Sequence, residues 1–402
     1  MKVLVADKFE DVGVAELQAN GFDVDLRPGL AGDTLIAGIA GADPDVLIVR
    51  STVVPAAALT AGARLKLVVR AGAGFDTIDV AAASADGIYV ANCPGKNAIA
   101  VAELAWGLIL SCDRRIPDQT IDLRNGRWNK KEYGVARGLF GRTLGVLGLG
   151  PIGLAVIERA HGFGMPVVAW SRSLTAERAR EIGVDRAETP VDLASRSDVV
   201  SVHVAGGAGT RKLIGREFIA AMKPGAYLIN TSRGSVVDED ALRWGIAERH
   251  IRVGLDVFEG EPKAGVADFD SALARTGGVY GAHHVGASTD QAQTAIALEA
   301  VRIIRHFRAT GEVLHCVNRA VKSPATCMLT VRHRNRPGVL AQVFQVLSEA
   351  RINVEEMENV IYEGALAASA RIQLDTPPSE TDLDRIRRSC DEILSVDLTS
   401  IG

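Results

Sequence analysis

One glycine-rich segment restricts the fold of this chain more than any other feature. The segment Gly148-Leu149-Gly150-Pro151-Ile152-Gly153 follows the aliphatic run Leu144–Leu147 and begins a helical pattern that ends near Phe163. Glycines at this spacing between a strand and a helix allow a tight turn, a close backbone approach to a pyrophosphate, and close helix–strand packing. The alternative is a glycine-rich turn that binds nothing. The strand-then-helix context favours a dinucleotide site.

Short aliphatic runs alternate with helical patterns on both sides of this segment. Such runs are typical of parallel strands that are covered on both faces. The sequence therefore predicts two doubly wound parallel-sheet lobes, the second of them a Rossmann-type cofactor lobe at residues 97–287. Two helices at about 289–308 have no strand nearby and are expected to return to the first lobe, which is then discontinuous (residues 1–96 and 288–312). The predicted strands are residues 2–6, 45–49, 66–70, 87–92, 143–149, 166–170, 198–204, 226–230 and 252–257.

A third domain is expected after a linker at residues 313–326. Residues 327–402 contain a strand, the turn Arg334-Asn335-Arg336-Pro337-Gly338, a helical pattern, two alternating strands, a second helix and a last strand. This β-α-β-β-α-β order is the ferredoxin-like arrangement.

Composition excludes several classes of function. A net charge of −4 gives no electrostatic case for binding nucleic acid or an anionic membrane, and no apolar run reaches membrane-spanning length. The five scattered cysteines lack the paired spacing of a metal site, so no metal is expected. Reduced thiols and the absence of a signal-peptide pattern favour a cytoplasmic protein.

The end of the next predicted strand bears on the choice of cofactor. An NAD enzyme of this fold usually carries an acidic residue about twenty positions after the glycines, where it binds the ribose. This chain has Ser171 and Arg172 there. Ser171 removes a carboxylate that would repel a 2′-phosphate, and Arg172 can pair with one. Either NAD or NADP is possible, with NADP modestly favoured.

Three separate stretches supply what hydride transfer to a 2-keto acid needs. They contain Arg233, Glu261 and His284, in that order after the glycine segment. An arginine can bind a carboxylate with two parallel hydrogen bonds. A histidine can transfer a proton near neutral pH, and a glutamate can orient its ring. Each residue alone is more often structural, but the ordered set favours catalysis.

With these motifs the chain resembles the D-isomer-specific 2-hydroxyacid dehydrogenases from Arg50 to about Gly311. The segment Arg70-Ala71-Gly72-Ala73-Gly74-Phe75-Asp76 resembles the glycine loop of their substrate lobe. The resemblance implies that Arg233 binds substrate, that His284 is the acid–base, and that Glu261 orients it. His283 stands where the family usually has proline, and Glu259 is a rival to Glu261.

The same resemblance implies the remaining ligand contacts. Substrate contacts are expected at Arg50, Ala73, Gly74 and Lys130, of which Arg50 and Lys130 occupy phosphate-binding positions; Thr52 stands where some members carry a second arginine. Cofactor contacts are expected at Val101, Gly148, Gly150, Pro151, Ile152, Gly153, Ser171, Arg172, His203, Val204, Thr231, Asp256 and Gly286.

The last seventy-five residues resemble an ACT domain, a small-molecule-sensing module. His333, Asn335 and Asn353 match the positions with which serine-sensitive members of the family hold the effector. The alternative is an ACT fold used only for assembly, and a homodimer or homotetramer is expected.

Taken with its ACT tail, this resemblance favours a reversible oxidoreductase that acts on 3-phosphoglycerate. A glyoxylate or hydroxypyruvate reductase is the alternative, which Ser171 and Arg172 favour. A nicotinamide-sensing binding protein with the same fold is less consistent with an intact Arg233, Glu261 and His284 set.

Overall fold

The computed structural model describes residues 1–262, 266–320 and 323–401. The chain forms two compact units, Met1–Asn318 and Arg319–Gly402. The first contains two parallel sheets and the second an antiparallel sheet. Residues 321 and 322 of the predicted linker lie outside the described residues.

The first sheet has five parallel strands in the order β2-β1-β3-β4-β5. Four of the five were predicted; the half-exposed edge strand β2 was not, because its sequence Asp-Val-Asp-Leu is too polar to suggest one. The strands are β1 (Lys2–Val5), β2 (Asp23–Leu26), β3 (Val46–Val49), β4 (Leu67–Arg70) and β5 (Tyr89–Asn92). The helices between them are α1 (Asp11–Ala19), α2 (Asp33–Ala42), α3 (Ala56–Leu59) and α4 (Val80–Ala85).

The second sheet has seven parallel strands in the order β12-β11-β10-β9-β6-β7-β8. Its first six strands in sequence have the 3-2-1-4-5-6 order of dinucleotide-binding sheets. The strands are β6 (Leu144–Leu147), β7 (Val167–Trp170), β8 (Asp185–Arg186), β9 (Val199–Val202), β10 (Tyr227–Asn230), β11 (Arg252–Leu255) and β12 (Val279–Gly281). The helices are α5 (Ala98–Arg114), α6 (Ile116–Arg124), α7 (Lys130–Tyr133), α8 (Pro151–Gly162), α9 (Ala176–Glu181), α10 (Pro190–Arg196), α11 (Arg216–Ala221) and α12 (Glu239–Arg249).

A single helix, α13 (Asp290–Thr310), returns to the first sheet. The expectation of two helices was wrong, because no proline or glycine interrupts this segment. Thr289 caps the helix by accepting a hydrogen bond from the Ala292 N–H at 3.2 Å, and Gly311 ends it in a left-handed conformation. Its apolar face, which includes Ile296, Ala300 and Ile304, is buried in the core on one side of the first sheet.

The second unit has the predicted β-α-β-β-α-β order. Its four strands form an antiparallel sheet in the order β14-β15-β13-β16, which is the ferredoxin-like arrangement. The elements are β13 (Cys327–Arg334), α14 (Val339–Glu349), β14 (Val354–Ile361), β15 (Ala367–Leu374), α15 (Glu380–Arg388) and β16 (Ile393–Ser400). The predicted fold class, α/β with two parallel sheets and this third sheet, is confirmed.

Within the described ranges, no helix has the length and apolar character needed to span a membrane. The five cysteines all carry free thiols. The described residues contain no group of three His, Cys, Asp or Glu side chains placed to hold a metal ion.

Candidate active site

The glycine segment forms the turn between β6 and α8. Gly148 has a φ of +101°, and a Cβ there would lie 2.5 Å from the His203 carbonyl oxygen. A Cβ on Gly153 would overlap the Gly148 carbonyl oxygen, whereas a Cβ on Gly150 would meet nothing within 4 Å. Pro151 is the first residue of α8. The open space at Gly150, in front of the N-terminus of a twelve-residue helix, fits a pyrophosphate.

Two buried polar atoms without partners lie on the neighbouring strand ends. The Thr231 hydroxyl, after β10, and His203 Nδ1, after β9, have no hydrogen-bond partner among the described residues. His203 Nε2 is 2.8 Å from the Ser201 hydroxyl, and burial lowers the pKa of His203 to about 4. Buried polar atoms of this kind are usually satisfied by a ligand or water. The half-buried Val204 follows on the same loop.

Ser171 and Arg172 follow β7 directly. The Ser171 carbonyl accepts a hydrogen bond from the Leu174 N–H at 3.2 Å, which closes a turn. Arg172 is exposed, and no carboxylate of the described residues lies within 4 Å of its guanidinium. Arg172 is therefore able to pair with an added phosphate.

His284 and Glu261 form a short polar contact. Their Nδ1 and Oε1 atoms are 2.6 Å apart, and Glu261 Oε2 accepts a longer hydrogen bond from the Phe258 N–H at 3.5 Å. Burial opposes ionisation of Glu261, but the hydrogen bond and the charge of His284 lower its pKa overall. His284 has a φ of +53°, while the neighbouring His283 is exposed. The pairing leaves His284 Nε2 for a substrate.

Asp256 fixes the backbone around His284. Its two carboxylate oxygens each accept one N–H at 2.9 Å, from Val285 and from Gly286, and its carbonyl accepts the His284 N–H at 2.7 Å. A Cβ on Gly286 would lie 3.3 Å from Val101, so the start of α5 lies beside this turn. Burial of Asp256, only 2% exposed, raises its pKa in spite of the two amides.

Arg233 lies on the loop after β10. The buried Asn230 holds this loop, because its side-chain amide donates to the Arg233 carbonyl at 2.9 Å and its oxygen accepts from the Ser232 N–H at 3.0 Å. Arg233 Nε donates to Asp76 Oδ2 at 3.0 Å, and Nη1 donates to the Ser232 carbonyl at 2.8 Å. Neither Asn230 nor Asp76 was among the residues predicted from the sequence to form the site.

The glycine loop lies against Arg233. A Cβ on Gly74 would overlap Arg233 Nη2, so the absence of a side chain there makes room for the guanidinium. The Ala73 carbonyl accepts a hydrogen bond from the Asn92 side chain at 2.6 Å. Arg70, the last residue of β4, has a buried Nε for which the described residues provide no hydrogen-bond partner. Burial, then the charges of Arg233 and Arg50, lower its pKa.

Neither Asn92 nor Arg70 was predicted as a site residue: Arg70 was recognised only as the end of a predicted strand and the start of the glycine-loop motif, and Asn92 only as the end of a predicted strand. Arg50 directly follows β3, and its N–H donates to Asp7 Oδ2 at 2.6 Å. Thr52 is buried, and its hydroxyl donates to the Leu30 carbonyl at 3.2 Å. Thr52 therefore has a structural contact at the position where the family resemblance implies an arginine in some members.

Lys130 is not joined to this cluster within the chain. It begins α7, whose described polar contacts are with the α6 region: Arg115 with Glu132 at 2.5 Å and Tyr133 with Asp122 at 2.9 Å. No described hydrogen bond or ion pair links Lys130 to Arg50 or Arg70.

The three predicted effector residues do not form one site within a single chain. His333 is buried, with Nδ1 2.8 Å from the Arg334 carbonyl and Nε2 3.3 Å from Asn359 Oδ1. Asn353 precedes β14 and hydrogen-bonds with Asp375, at the far end of the sheet. His333 pairs with Ala368 on β15, seven residues before Asp375, so roughly 20 Å separates the two groups. Asn335, whose amide donates to the Ala365 carbonyl at 3.2 Å, lies at the His333 end.

Comparison with known proteins identifies the family to which this chain belongs. The family model described as D-isomer specific 2-hydroxyacid dehydrogenase, NAD binding domain, matches residues 106–286, and the ACT domain model matches residues 328–358. A D-3-phosphoglycerate dehydrogenase of Methanocaldococcus jannaschii is 40% identical over 298 residues, which are 73% of this chain and 55% of the relative. This chain therefore spans little more than half of that relative's length.

Two further proteins are matched over most of their length. A hydroxypyruvate reductase of Thermotoga maritima is 41% identical over 269 residues, which are 66% of this chain and 85% of the relative. The crystal structure of an NADPH-dependent glyoxylate/hydroxypyruvate reductase from Sinorhizobium meliloti, in complex with NADP and malonate, matches with a TM-score of 0.68 and 31% identity. That match covers 80% of this chain and 99% of the other.

The chain belongs to the D-isomer specific 2-hydroxyacid dehydrogenase family and carries an ACT domain. A nicotinamide dinucleotide is the cofactor of this family's dinucleotide domain, and the open glycine turn fits it.

Proposed function

We propose that this protein interconverts 3-phosphoglycerate and 3-phosphohydroxypyruvate with a nicotinamide cofactor, the first step of L-serine synthesis. The observation that carries the proposal is the approach of two cations to the glycine loop, where Arg70 Nη1 lies against Gly72 and Arg233 Nη2 against Gly74. The charge of Arg50 acts on Arg70, and the charge of Arg233 acts on Glu261, the partner of His284. Two anionic groups, a carboxylate and a phosphate, match such a cationic cluster. The relatives named D-3-phosphoglycerate dehydrogenase support this choice of substrate.

His284 acts as the acid–base in this proposal. In the oxidative direction neutral His284 removes the proton of the C2 hydroxyl at Nε2, because Nδ1 is engaged by Glu261. In the reductive direction the imidazolium returns that proton, and the ionised Glu261 stabilises its charge. A nicotinamide dinucleotide whose pyrophosphate is held by the glycine turn would supply the hydride acceptor or donor.

Arg233 binds the substrate carboxylate and polarises the C2 carbonyl. Asp76 engages Nε and the Ser232 carbonyl engages one hydrogen of Nη1, so the second hydrogen of Nη1 and both hydrogens of Nη2, on the Gly74 side, are the donors for substrate in this proposal. The backbone amides at Ala73 and Gly74 assist it. Asp256 positions the Val285–Gly286 amides beside the nicotinamide site.

Arg50 and Arg70 bind the phosphate. Arg70 supplies the second positive charge, which some family members are expected to supply with an arginine at the position of Thr52. The alternative substrate is hydroxypyruvate or glyoxylate, and it is favoured by the structural position of Thr52 and by the Thermotoga maritima relative.

NADP is the preferred cofactor in this proposal, because Arg172 has no carboxylate partner in the part of the chain that the structure describes and Ser171 carries no charge. The two residues would hold a 2′-phosphate, whereas the ribose of NAD would lack its usual acidic partner.

A homodimer or homotetramer is proposed from the exposed apolar side chains around α6. This helix contains no buried residue, and Ile121, Leu123 and Trp128 are 56%, 58% and 82% exposed. Contiguous exposure of this kind marks an interaction surface. Lys130, which lies next to it, would then reach a substrate site from the second copy.

Serine is the proposed effector of the ACT domain. Because His333 and Asn335 lie about 20 Å from Asn353, one serine would be bound by His333 and Asn335 of one copy and Asn353 of another. Titration calorimetry of the full chain with serine tests this, and an absence of heat would leave assembly as the role of the domain.

Steady-state kinetics with phosphohydroxypyruvate, hydroxypyruvate and glyoxylate, each with NADH and NADPH, test the function. We expect the highest kcat/KM with phosphohydroxypyruvate. Turnover of only the unphosphorylated acids would support the alternative reductase, and no turnover would support a nicotinamide-sensing binding protein.

A further inference from the structure

A short segment at the end of the first unit runs along the edge of the first sheet. Residues 315–318, here called the connecting strand, lie antiparallel to the edge strand β5 through a bridge between Ala91 and Cys316. The Val317 N–H donates to the Val90 carbonyl at 2.8 Å, and the Asn92 N–H donates to the His315 carbonyl at 3.4 Å. The segment that leads to the ACT domain is thus attached to the substrate lobe.

Asn318 fastens one end of the connecting strand. Its Oδ1 accepts the Val90 N–H at 2.9 Å, and its Nδ2 donates to the Ile88 carbonyl at 2.9 Å and to the Ser84 hydroxyl at 3.2 Å. By bonding to the Val90 N–H and the Ile88 carbonyl, the Asn318 side chain holds the connecting strand at the edge of the sheet and also shields that edge from solvent.

His315 fastens the other end. Its Nε2 is 2.9 Å from Glu299 Oε1 on α13, and Glu299 is only 4% exposed. Arg302 makes hydrogen bonds to both oxygens of Glu299, and Lys96 Nζ lies 3.2 Å from Oε2. Lys96 precedes α5 and Glu299 lies on α13, so the connecting strand is tied to both chain segments that pass between the two sheets.

β5 carries this attachment to the glycine loop. Asn92, its last residue, donates its N–H to His315 and its side-chain amide to the Ala73 carbonyl at 2.6 Å. The next residue, Cys93, donates its N–H to the Gly72 carbonyl at 2.9 Å. Asn92 is therefore bonded to the connecting strand on one side and to the loop facing Arg233 on the other.

We propose that the connecting strand and Asn92 form a relay that positions the glycine loop, so that the segment leading to the ACT domain sets how tightly the keto acid is held. Asn92 is a positioning residue, since its contacts are with Ala73 and His315. The part of the proposal that concerns keto-acid affinity rests on the proposed function. Displacing the strand moves Asn92 and changes where the Ala73 and Gly74 amides meet the carboxylate.

The test uses the full chain with the variant Asn318→Asp, which keeps the acceptor for Val90 but loses both donated hydrogen bonds. Ser84→Ala is the matched control, because it removes only the 3.2 Å bond to the hydroxyl. Loss of a buried hydrogen bond predicts that amide exchange at residues 72–76 and KM for the keto acid each rise about fivefold. We expect kcat and KM for the cofactor to stay within about twofold, since proton transfer and the glycine turn are untouched.

Asn92→Asp provides a second route, since it removes the donor to Ala73 and leaves the strand attached. It should raise exchange at 72–76 and KM for the keto acid, without raising exchange at 315–318. If Asn318→Asp matches Ser84→Ala in both exchange and KM, the connecting strand only covers the sheet edge and the relay is wrong. Hydrogen exchange needs no substrate, so it decides the relay even if no keto acid is turned over and the proposed function fails.

Discussion

Arg233 Nε donates to Asp76 Oδ2 at 3.0 Å although the two residues are 157 positions apart. Asp76 ends the glycine loop beside the first sheet, and Arg233 follows β10 of the second. The contact therefore crosses between the two sheets and fixes the plane of the guanidinium. Because a planar guanidinium binds a carboxylate only in the correct orientation, this ion pair prepares the proposed substrate contact.

Gly74→Ala should disturb that orientation. The added Cβ overlaps Arg233 Nη2, while the backbone of Gly74 is one that alanine can adopt. We expect KM for the keto acid to rise by at least about tenfold, because the guanidinium must turn away. Gly107→Ala is the control, since a Cβ there meets nothing within 4 Å. Initial-rate kinetics of both variants provide the measurement, and a wild-type KM for Gly74→Ala would contradict the assigned contact.

His284→Ala should lower kcat by about two to four orders of magnitude, because proton transfer to the C2 oxygen is lost. Cofactor affinity, followed by protein fluorescence, should be unchanged. A fall of less than tenfold would exclude His284 and make His283 the candidate.

The two rival glutamates provide a matched pair for the same assay. Glu261→Gln removes the charge beside His284, whereas Glu259→Gln removes only a partner of Arg211 at 3.2 Å. Glu261→Gln should reduce kcat by at least about tenfold and Glu259→Gln by less than about twofold.

Gly150→Ala and Gly153→Ala should separate cofactor binding from stability. A Cβ at Gly150 meets no protein atom within 4 Å but enters the space proposed for the pyrophosphate. The Gly150→Ala variant should bind the cofactor about tenfold more weakly, while its thermal midpoint stays unchanged. A Cβ at Gly153 overlaps the Gly148 carbonyl oxygen and should cost about 1–3 kcal/mol of stability. Equal effects of the two variants on cofactor affinity and on midpoint would refute this division.

Ser171→Asp combined with Arg172→Ala should shift the preference from NADP towards NAD. The new carboxylate can accept hydrogen bonds from the ribose hydroxyls and repels a 2′-phosphate. The control is Arg180→Ala, an exposed arginine on α9 that donates to the Ala176 carbonyl. The ratio of kcat/KM with the two cofactors gives the measurement. An unchanged ratio would mean that this strand end does not contact the ribose.

Periodicity and short motifs predicted both parallel sheets except for the strands β2, β8 and β12. Aliphatic runs such as 66–70 and 252–257 coincide with β4 and β11, because buried parallel strands leave a continuous apolar signature in the sequence. The expectation of two helices at 289–308 was wrong, since the segment contains no glycine or proline that would divide one helix into two.

Contacts between side chains that are far apart in the chain could not be predicted from the sequence. Asp76 was visible only as the end of a glycine loop, and its pairing with Arg233 depends on how two lobes meet. The separation of His333 from Asn353 follows from the register of β13, β14 and β15, which no local pattern specifies. Glu299 and Arg302 are three residues apart on a helix, a spacing at which ion pairs are usually exposed, yet the Glu299 carboxylate is buried.

The buried Glu299 leads to a prediction about pH. Hydrogen bonds from Arg302 hold its pKa down to about 2 against an ordinary value of 4.5, in spite of burial. A carboxyl group with a lowered pKa in the folded state contributes stability above the unfolded value. That contribution is lost as the pH falls from 4.5 towards 2. The difference corresponds to on the order of 3 kcal/mol.

Glu299→Gln should therefore have a lower thermal midpoint than the wild type at pH 6, with a difference that shrinks steadily from about pH 4.5 downwards, because glutamine does not titrate. Glu312→Gln is the control, since that carboxylate is 78% exposed and lies 3.7 Å from His306. The thermal midpoint of Glu312→Gln should equal that of the wild type at every pH. Differential scanning calorimetry between pH 6 and pH 3 measures these thermal midpoints. A difference in midpoint between Glu299→Gln and wild type that stays constant over this range would show that the Glu299 carboxylate is not held ionised by its cationic partners.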